Sequence, residues 1–169
     1  TPSIVGFTHT LPCVAGELMK REIDALDIAL ENPRRPCIAV VGGIKVEDSI
    51  SIADNMLRKG IADQIWATGG VANLLIEYSG VDIGKTNHDF LVNELGDSYH
   101  KTVETAKAML NDFMDKIMLP TDLAANVENN RVDLQIKDLP IEAPIFDIGI
   151  NSTMSLSSAI KQAGTIILN

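Results

Sequence analysis

Apolar residues recur at two spacings along this chain, and the two spacings alternate. Apolar positions about 3.6 residues apart predict helices, and short runs of β-branched and apolar residues predict buried strands. The predicted helices cover 15–31, 47–59, 71–78, 88–95, 98–115 and 152–162. The predicted strands cover 37–41, 64–67, 117–119 and 165–168, with shorter β pieces between 123 and 136. This alternation predicts a doubly wound parallel sheet, a Rossmann-like three-layer α/β fold.

Glycine pairs interrupt this pattern twice, each time between a strand and a helix. Gly42 and Gly43 follow the first predicted strand, and Gly69 and Gly70 follow the second. Glycines let backbone N–H groups approach a ligand closely, and a helix N-terminus adds about half a positive charge. In neighbouring parallel strands the two turns would form a crevice for a flat ring or a phosphate. The alternative is that both pairs only permit tight connections.

Four polar residues near predicted helix starts carry further expectations. Lys45 lies inside the first glycine turn, where its ammonium would suit a phosphate; an ordinary solvated lysine is the alternative interpretation. Asp97 or Ser98 is predicted to cap the helix at 98–115. Asp147, which follows a short apolar run, is predicted either to cap the last helix or to serve a site.

Composition and charge narrow the class of protein. The chain has 169 residues, 46% of them apolar, a net charge of −9 and a pI of about 4.7, which argue against a nucleic-acid surface. No apolar run approaches the roughly 20 residues of a membrane span. Cys13 and Cys37 lack the spacing of metal ligands and predict reduced thiols in a cytoplasmic protein. Because Thr1 replaces a starting Met and the last strand ends the chain, both ends are expected to be cut.

Five motifs occur in the order and spacing typical of phosphoglycerate kinases. They are Gly-Gly-Ile-Lys-Val-Glu-Asp at 42–48, Thr-Gly-Gly-Val-Ala at 68–72, Leu-Pro-Thr-Asp at 119–122, Phe-Asp-Ile-Gly at 146–149 and Ile-Ile-Leu-Asn at 166–169. The segment from 2 to 19 also resembles the passage from that family's first domain into its interdomain helix. The chain therefore resembles part of an archaeal-type phosphoglycerate kinase.

The resemblance implies a two-domain kinase of glycolysis and gluconeogenesis. Such enzymes move a phosphoryl group reversibly between 1,3-bisphosphoglycerate and ADP, using Mg²⁺. By resemblance, 1–12 ends the N-terminal substrate domain, 13–32 is the interdomain helix, and 33–169 is an incomplete C-terminal nucleotide-binding domain. ADP or ATP would bind here, 3-phosphoglycerate would bind through the missing N-terminal domain, and the piece alone is expected to be inactive. No nucleic-acid or membrane partner is expected.

The same resemblance assigns roles to individual residues. The backbones at Gly43, Gly69 and Gly70 would line the adenine pocket, and Lys45 would meet the nucleotide phosphates as the catalytic residue. The other nucleotide-binding candidates are Gly42, Ile44, Asp48 and Asn169. No metal ligand is assigned, because the carboxylate that would hold Mg²⁺ lies outside this chain.

Three departures from the family pattern bear on this site. Ser49 stands where many members have a second lysine, Ile145 replaces a glycine at the nucleotide pocket, and Ile150 replaces a proline. A non-catalytic nucleotide- or partner-binding α/β module is the alternative function. A dinucleotide oxidoreductase is a second, but the fingerprint Gly-x-Gly-x-x-Gly is absent.

Overall fold

The chain divides into two compact units, Thr1–Asn32 and Pro33–Asn169. The structure, a computed structural model, describes residue 6 and residues 11–169. The expectations for 1–12 therefore lie almost wholly outside the described residues. Helix α1, Glu17–Glu31, belongs to the first unit. It ends where the sequence predicts, because Pro33 disfavours the helical conformation in the residue before it.

The second unit holds all the strands of the described chain. In order it contains β1 (Cys37–Val41), α2 (Val46–Arg58), β2 (Gln64–Ala67), α3 (Gly69–Tyr78), α4 (Lys85–Leu95), α5 (Tyr99–Phe113), β3 (Ile117–Met118), β4 (Asp122–Val127), β5 (Asn130–Gln135), β6 (Ile145–Ile148), α6 (Ile150–Ile160) and β7 (Thr165–Leu168). Among the helices of the described residues, none combines the length and the apolar character needed to cross a membrane.

Four strands form a parallel sheet in the order β3-β2-β1-β7. Val40 of β1 lies opposite Trp66 of β2 and opposite Leu168 of β7, and all the neighbouring pairs run parallel. The predicted parallel α/β sheet is confirmed. The order reverses at β1, because β2 and β3 extend the sheet on one side and β7 on the other.

Helices α2, α3 and α5 enclose an apolar core beside this sheet. The core residues recur at i, i+3 and either i+4 or i+7, which places them on one face of each helix. They include Ile50, Ala53 and Leu57 of α2, Val71, Leu74 and Leu75 of α3, and Val103, Ala106 and Leu110 of α5. Fully burying a side chain such as Leu or Ile stabilises a fold by about 1.5–3 kcal/mol.

A second, antiparallel sheet in the order β5-β4-β6 adds to the predicted architecture. The predicted β pieces at 123–136 form its hairpin, in which Val127 pairs with Asn130. Glu128 and Asn129 both have positive φ, 50° and 64°, as the favoured two-residue hairpin turn requires. Strand β6 of this sheet packs against α3.

The predicted cap of α5 is wrong. Residues Gly96–Ser98 form a short 3₁₀ turn that leads directly into the helix, so Ser98 has helical rather than extended dihedral angles. Its hydroxyl donates backward to the Leu95 carbonyl at 2.7 Å, and neither Asp97 nor Ser98 makes a side-chain cap. Helix α4 also begins at Lys85, three residues before the predicted start.

Candidate functional site

The ends of β1 and β2 meet at their glycine turns. The Gly70 N–H donates to the Gly43 carbonyl at 3.1 Å, and the Thr68 N–H donates to the Val41 carbonyl at 2.9 Å. A Cβ at Gly70 would lie 2.9 Å from the Gly43 carbonyl oxygen, and one at Gly42 would lie 2.0 Å from Thr68 Oγ1. The two turns therefore touch, and side chains at these positions would force them apart.

Backbone conformation explains the two other glycines. Gly43 has φ of +85° and Gly69 has φ of +52°, in the region that favours glycine. A Cβ at Gly43 would meet no atom within 4 Å, so the turn requires glycine there for its dihedral angles alone. Each pair thus combines one glycine needed for close approach with one needed for a left-handed turn.

Asn169 lies beside these turns, at the end of β7. The Asn169 N–H donates to the Val40 carbonyl at 3.0 Å, and the Asn169 carbonyl accepts from the Gly42 N–H at 3.3 Å. The edge where β1 separates β7 from β2 is the point at which strand order reverses. Open α/β sheets bind ligands at that point, outside the carboxyl ends of their strands.

One buried hydroxyl joins these segments. Ser49, in the first turn of α2 and 3% exposed, donates to the Gly42 carbonyl at 3.2 Å and accepts from Asn169 Nδ2 at 2.9 Å. From the sequence, Ser49 was notable only for the lysine it replaces. A small hydroxyl residue in the first helical turn after a glycine pair is the signal that would have pointed to this linking role.

An apolar cavity of about 240 Å³ opens beside the first glycine turn. It lies between that turn, α3, α4 and the start of β6. Its lining residues are Ile44, Gly70, Asn73, Thr86, Asn87, Phe90, Pro144, Ile145 and Phe146. Ile145, one of the three departures from the family pattern, is a buried part of this wall, whereas Phe146 is 65% exposed.

Two buried asparagines hold the backbone of Ile145 in the cavity wall. Asn87 Oδ1 accepts from the Ile145 N–H at 2.8 Å, and Asn73 Nδ2 donates to the Ile145 carbonyl at 3.1 Å. Asn87 Nδ2 in turn faces the carbonyls of Ile83, Ile141 and Ala143, at 2.9, 3.3 and 3.2 Å. The asparagines lie 58 and 72 positions from Ile145 in the chain, so no local pattern in the sequence points to this pair.

Lys45 and Asp48 do not line this cavity. Both line a separate depression of about 140 Å³ together with Val46, Glu47, Glu94 and Leu95. One ammonium there faces three carboxylates, so the depression itself carries net negative charge. The structure thus brings together Gly42, Gly43, Gly69, Gly70 and Asn169. It places Ile44 in the cavity wall, and Lys45 and Asp48 in the separate depression.

The cap of α6 comes from Asp122, not from Asp147. Asp147 Oδ1 accepts from the adjoining Ile148 N–H at 2.8 Å, so the capping prediction is wrong. The buried Asp122 carboxylate accepts from the Asn151 N–H at 2.8 Å and the Ser152 N–H at 2.7 Å. Burial tends to raise its pKa, but the Ser152 hydroxyl and these two N–H groups lower the pKa below its ordinary value.

The described side chains offer no cluster of metal ligands. Within residue 6 and residues 11–169, no group of three or more His, Cys, Asp and Glu side chains is arranged to hold a metal ion. The free thiols in this part of the chain are Cys13, which is exposed, and Cys37, which is buried in β1.

Glycine turns at the reversal point of a parallel sheet, next to an apolar cavity, are typical of α/β proteins that bind ligands at the carboxyl edge of the sheet. A model of one such family, phosphoglycerate kinase, matches residues 1–169. The chain belongs to the phosphoglycerate kinase family. The resemblance seen in the five motifs is confirmed at this level.

Relatives and solved structures of the family agree with this assignment. The chain is 42% identical over 168 residues to the phosphoglycerate kinase of Methanobacterium bryantii, and 35% identical over 167 residues to that of Thermoplasma acidophilum. In both comparisons 99% of this chain aligns with 40% of the relative. The chain therefore spans about two-fifths of the length of the curated relatives it matches.

The solved phosphoglycerate kinases have the same fold over this length. The Pyrococcus horikoshii OT3 structure superposes with a TM-score of 0.88 and 32% identity, over 100% of this chain and 42% of that one. The Coxiella burnetii structure gives 0.71 and 36%, over 92% of this chain and 39% of that one.

Proposed function

We propose that this chain supplies part of the ADP/ATP site of a cytoplasmic phosphoglycerate kinase. In this proposal 1–12 ends the substrate domain, 13–32 is the interdomain helix, and 33–169 belongs to the nucleotide-binding domain. The observation that supports it is the contact between the two glycine turns at the reversal point of the sheet, directly beside the apolar cavity.

The cavity suits the base of the nucleotide. Sites for drug-sized ligands usually measure about 300–1,000 Å³. A space of about 240 Å³ is therefore suited to one flat ring system, not to a whole nucleotide. Ile44 and Phe90 offer apolar contacts to such a ring, while Gly70 lets it approach the backbone. The ribose and phosphates would then extend outward along the carboxyl edge of the sheet.

The phosphates would meet the first glycine turn and the start of α2. The Gly43 N–H, the helix dipole and the Lys45 ammonium would each favour an anion there, while Gly42, whose N–H donates to the Asn169 carbonyl, would shape the turn. Asn169 is a further candidate for contact with the nucleotide at this edge of the sheet. Asp48 and the other carboxylates near Lys45 oppose that attraction, so the Mg²⁺ that accompanies the nucleotide would supply the remaining neutralising charge.

The reaction in this proposal is phosphoryl transfer from 1,3-bisphosphoglycerate to ADP and back. Phosphoryl transfer depends mainly on positioning and on neutralising the charge of the transferred group. This chain would position ADP, with Lys45 as the catalytic cation. The 3-phosphoglycerate part of the substrate would be held by the other domain, so we expect no turnover from the 169-residue chain alone.

Calorimetric titration of the chain with Mg²⁺-ADP, adenosine and NAD tests this function. We expect ADP to bind more tightly than adenosine, because only ADP reaches the phosphate positions, and more tightly than NAD. Tighter binding of NAD would contradict the kinase and favour an oxidoreductase. No binding of any of the three would favour a partner-binding module. A coupled assay for ATP formation from 1,3-bisphosphoglycerate then tests the expected lack of turnover.

A further inference from the structure

Three large apolar side chains that line the 240 Å³ cavity are exposed to solvent. Ile44 is 64% exposed, Phe90 is 42% exposed and Phe146 is 65% exposed. They come from three different parts of the second unit: the loop after β1, helix α4 and strand β6. A concave apolar surface that is open to solvent is typical of a site for a ligand with an apolar face. The cavity therefore offers accessible apolar contacts on several sides.

The Phe90 ring lies beside the second glycine turn. A Cβ built on Gly70 would lie 3.9 Å from Phe90 Cε1, which is an ordinary van der Waals distance. Gly70 lines the same cavity, so the ring and the bare backbone of the turn border one part of it together. An aromatic ring next to a backbone without a side chain leaves room for a second flat ring to contact both.

The polar side chains of the cavity wall are bound to the protein itself. Among the described residues, three polar side chains line the cavity: Asn73, Thr86 and Asn87. Asn87 holds the Ile145 N–H, and Asn73 donates to the Ile145 carbonyl, while the Asn73 Oδ1 is enclosed and out of reach of a ligand. The Thr86 hydroxyl donates to Glu142 at 3.3 Å. Contact area and ring chemistry are therefore the main means by which this wall can select a base.

We propose that Phe90 is a specificity-determining residue whose aromatic ring contacts the base and selects purine over pyrimidine nucleotides. The proposal rests on the proposed function, which places the base in this cavity. Aromatic rings attract each other in offset-stacked or edge-to-face arrangements, beyond the effect of the area that they bury. The contact of a base with an aromatic side chain strengthens binding in this way. Because a purine has two fused rings and a pyrimidine has one, Phe90 favours ADP over UDP.

Calorimetric titration of the unmodified chain with three Mg²⁺-bound ligands tests this preference directly. The ligands are ADP, UDP and inorganic pyrophosphate, which has no base. We expect ADP to bind about two- to tenfold more tightly than UDP, the range that an aromatic pair adds to its buried area. Pyrophosphate should bind more weakly than either. Because no variant is needed, a folding defect cannot obscure this result.

Two substitutions at one position then assign the preference to the ring. Phe90→Leu keeps an apolar side chain and removes the ring, so ADP affinity should fall about two- to tenfold and the ratio of the ADP to the UDP affinity should fall toward one. Phe90→Tyr keeps the ring and should keep the ratio. Pyrophosphate affinity should not change in either variant, whereas a purely structural effect would lower it too.

Val92→Ala is the matched control for these variants. Val92 lies on the same helix and is 37% exposed, close to the exposure of Phe90, but it is not part of the cavity wall. Its replacement should leave the affinities for ADP, UDP and pyrophosphate unchanged.

The outcomes separate the two proposals. Equal binding of ADP and UDP to the unmodified chain, or a ratio that Phe90→Leu does not change, overturns the role of Phe90 and leaves the nucleotide site standing. An equal loss of ADP affinity in Phe90→Leu and Phe90→Tyr also overturns it, because the tyrosine retains the ring. If neither ADP nor UDP binds, the proposed function fails and the role of Phe90 fails with it.

Discussion

A single hydroxyl group, that of Ser49, links three segments at the carboxyl edge of the sheet. It connects the first turn of α2, the Gly42 carbonyl and the Asn169 amide. A lysine in its place would add charge, but an ammonium has no lone pair and could not accept the hydrogen bond that Asn169 Nδ2 donates to the serine. The serine thus lacks the positive charge of a lysine, but it connects the ends of β1 and β7 through hydrogen bonds.

Ser49→Ala should destabilise the fold and weaken ADP binding. It leaves the Gly42 carbonyl and Asn169 Nδ2 without this partner, which costs about 1–3 kcal/mol in the free energy of unfolding. Urea denaturation measures that loss, and calorimetry measures the change in ADP affinity. Ser51→Ala, at an exposed position of the same helix, is the matched control and should change stability by less than about 0.5 kcal/mol. Equal stability of the two variants would contradict the linking role.

Lys45→Met tests the phosphate contact. The substitution keeps the length of the side chain and removes its charge, so we expect ADP affinity to fall about tenfold, near the lower limit for a hydrogen bond to a charged group. Adenosine affinity should stay the same, since adenosine has no phosphate. Lys59→Met, at the opposite end of α2, provides the control. If ADP affinity survives Lys45→Met, Lys45 is an ordinary solvated lysine and the glycine turns act through their backbone alone.

At the scale of elements, the N-terminus of α6 depends on a residue from another element. Asp122 of β4 accepts from two N–H groups in the first turn of α6 and from the Ser152 hydroxyl at 2.5 Å. Gly149 permits this approach, because a Cβ there would lie 2.3 Å from the Asp122 carboxyl carbon. The cap therefore fixes the position of α6 against the antiparallel sheet.

This cap should make stability depend on pH in the acid range. A carboxyl whose pKa is lowered by folding stabilises the fold above its unfolded pKa, about 3.9, and loses that contribution as the pH falls through the lower folded value. Asp122→Asn should therefore lower the free energy of unfolding at pH 7 by about 1–2 kcal/mol. The difference should shrink below about pH 4.

Urea denaturation at several pH values between 7 and 3 measures this difference. Asp147→Asn is the control, because Asp147 makes only a local contact with the next backbone N–H in the described structure. A gap between Asp122→Asn and the unmodified chain that stays constant with pH would show that shape, and not charge, governs the cap.

The elements could be predicted from the sequence, but their long-range polar contacts could not. Ile50, Ala53 and Leu57 repeat at helical spacing, so a local pattern was enough to locate α2. The Asp122 cap and the Asn73 contact join residues 29 and 72 positions apart, and no local spacing encodes them. Ser98 matched the local sequence rule for a helix cap, but the prediction was wrong. The 3₁₀ turn at Gly96–Ser98 leads directly into α5, so Ser98 does not have the extended backbone of a capping residue.

The candidate site was predictable to a similar extent. Adjacent glycines after two successive strands predicted that the turns would meet, and Gly43 and Gly70 do meet. A crevice for a flat ring was predicted at these turns, but its far wall was not, because that wall comes from β6, which belongs to a second sheet that the alternation of strands and helices did not reveal. The family resemblance placed Ile145 at the nucleotide pocket as a replacement for glycine, and Ile145 forms part of that wall.

At the scale of the whole molecule, the core of the second unit is assembled from its own residues. The described core cluster extends from Ala39 to Ile145, with Ile167 packed against it, and contains no described residue of the first unit. The 240 Å³ cavity and the glycine turns also lie within 33–169. A unit that holds both its core and its candidate site has what it needs to fold and bind by itself.

We therefore expect residues 33–169 to fold without residues 1–32. Their thermal midpoint should lie within about 4 °C of the full chain, which corresponds to a change of less than about 1 kcal/mol. ADP affinity should change less than about twofold, or about 0.4 kcal/mol. Trp66 in β2, the single tryptophan, reports on the packing of the sheet by fluorescence and near-ultraviolet circular dichroism.

A shorter piece, residues 42–169, provides the control. It lacks β1, the strand between β2 and β7, and should not give a cooperative transition. Loss of the near-ultraviolet signal in 33–169 would show instead that the first unit is needed for the second to pack.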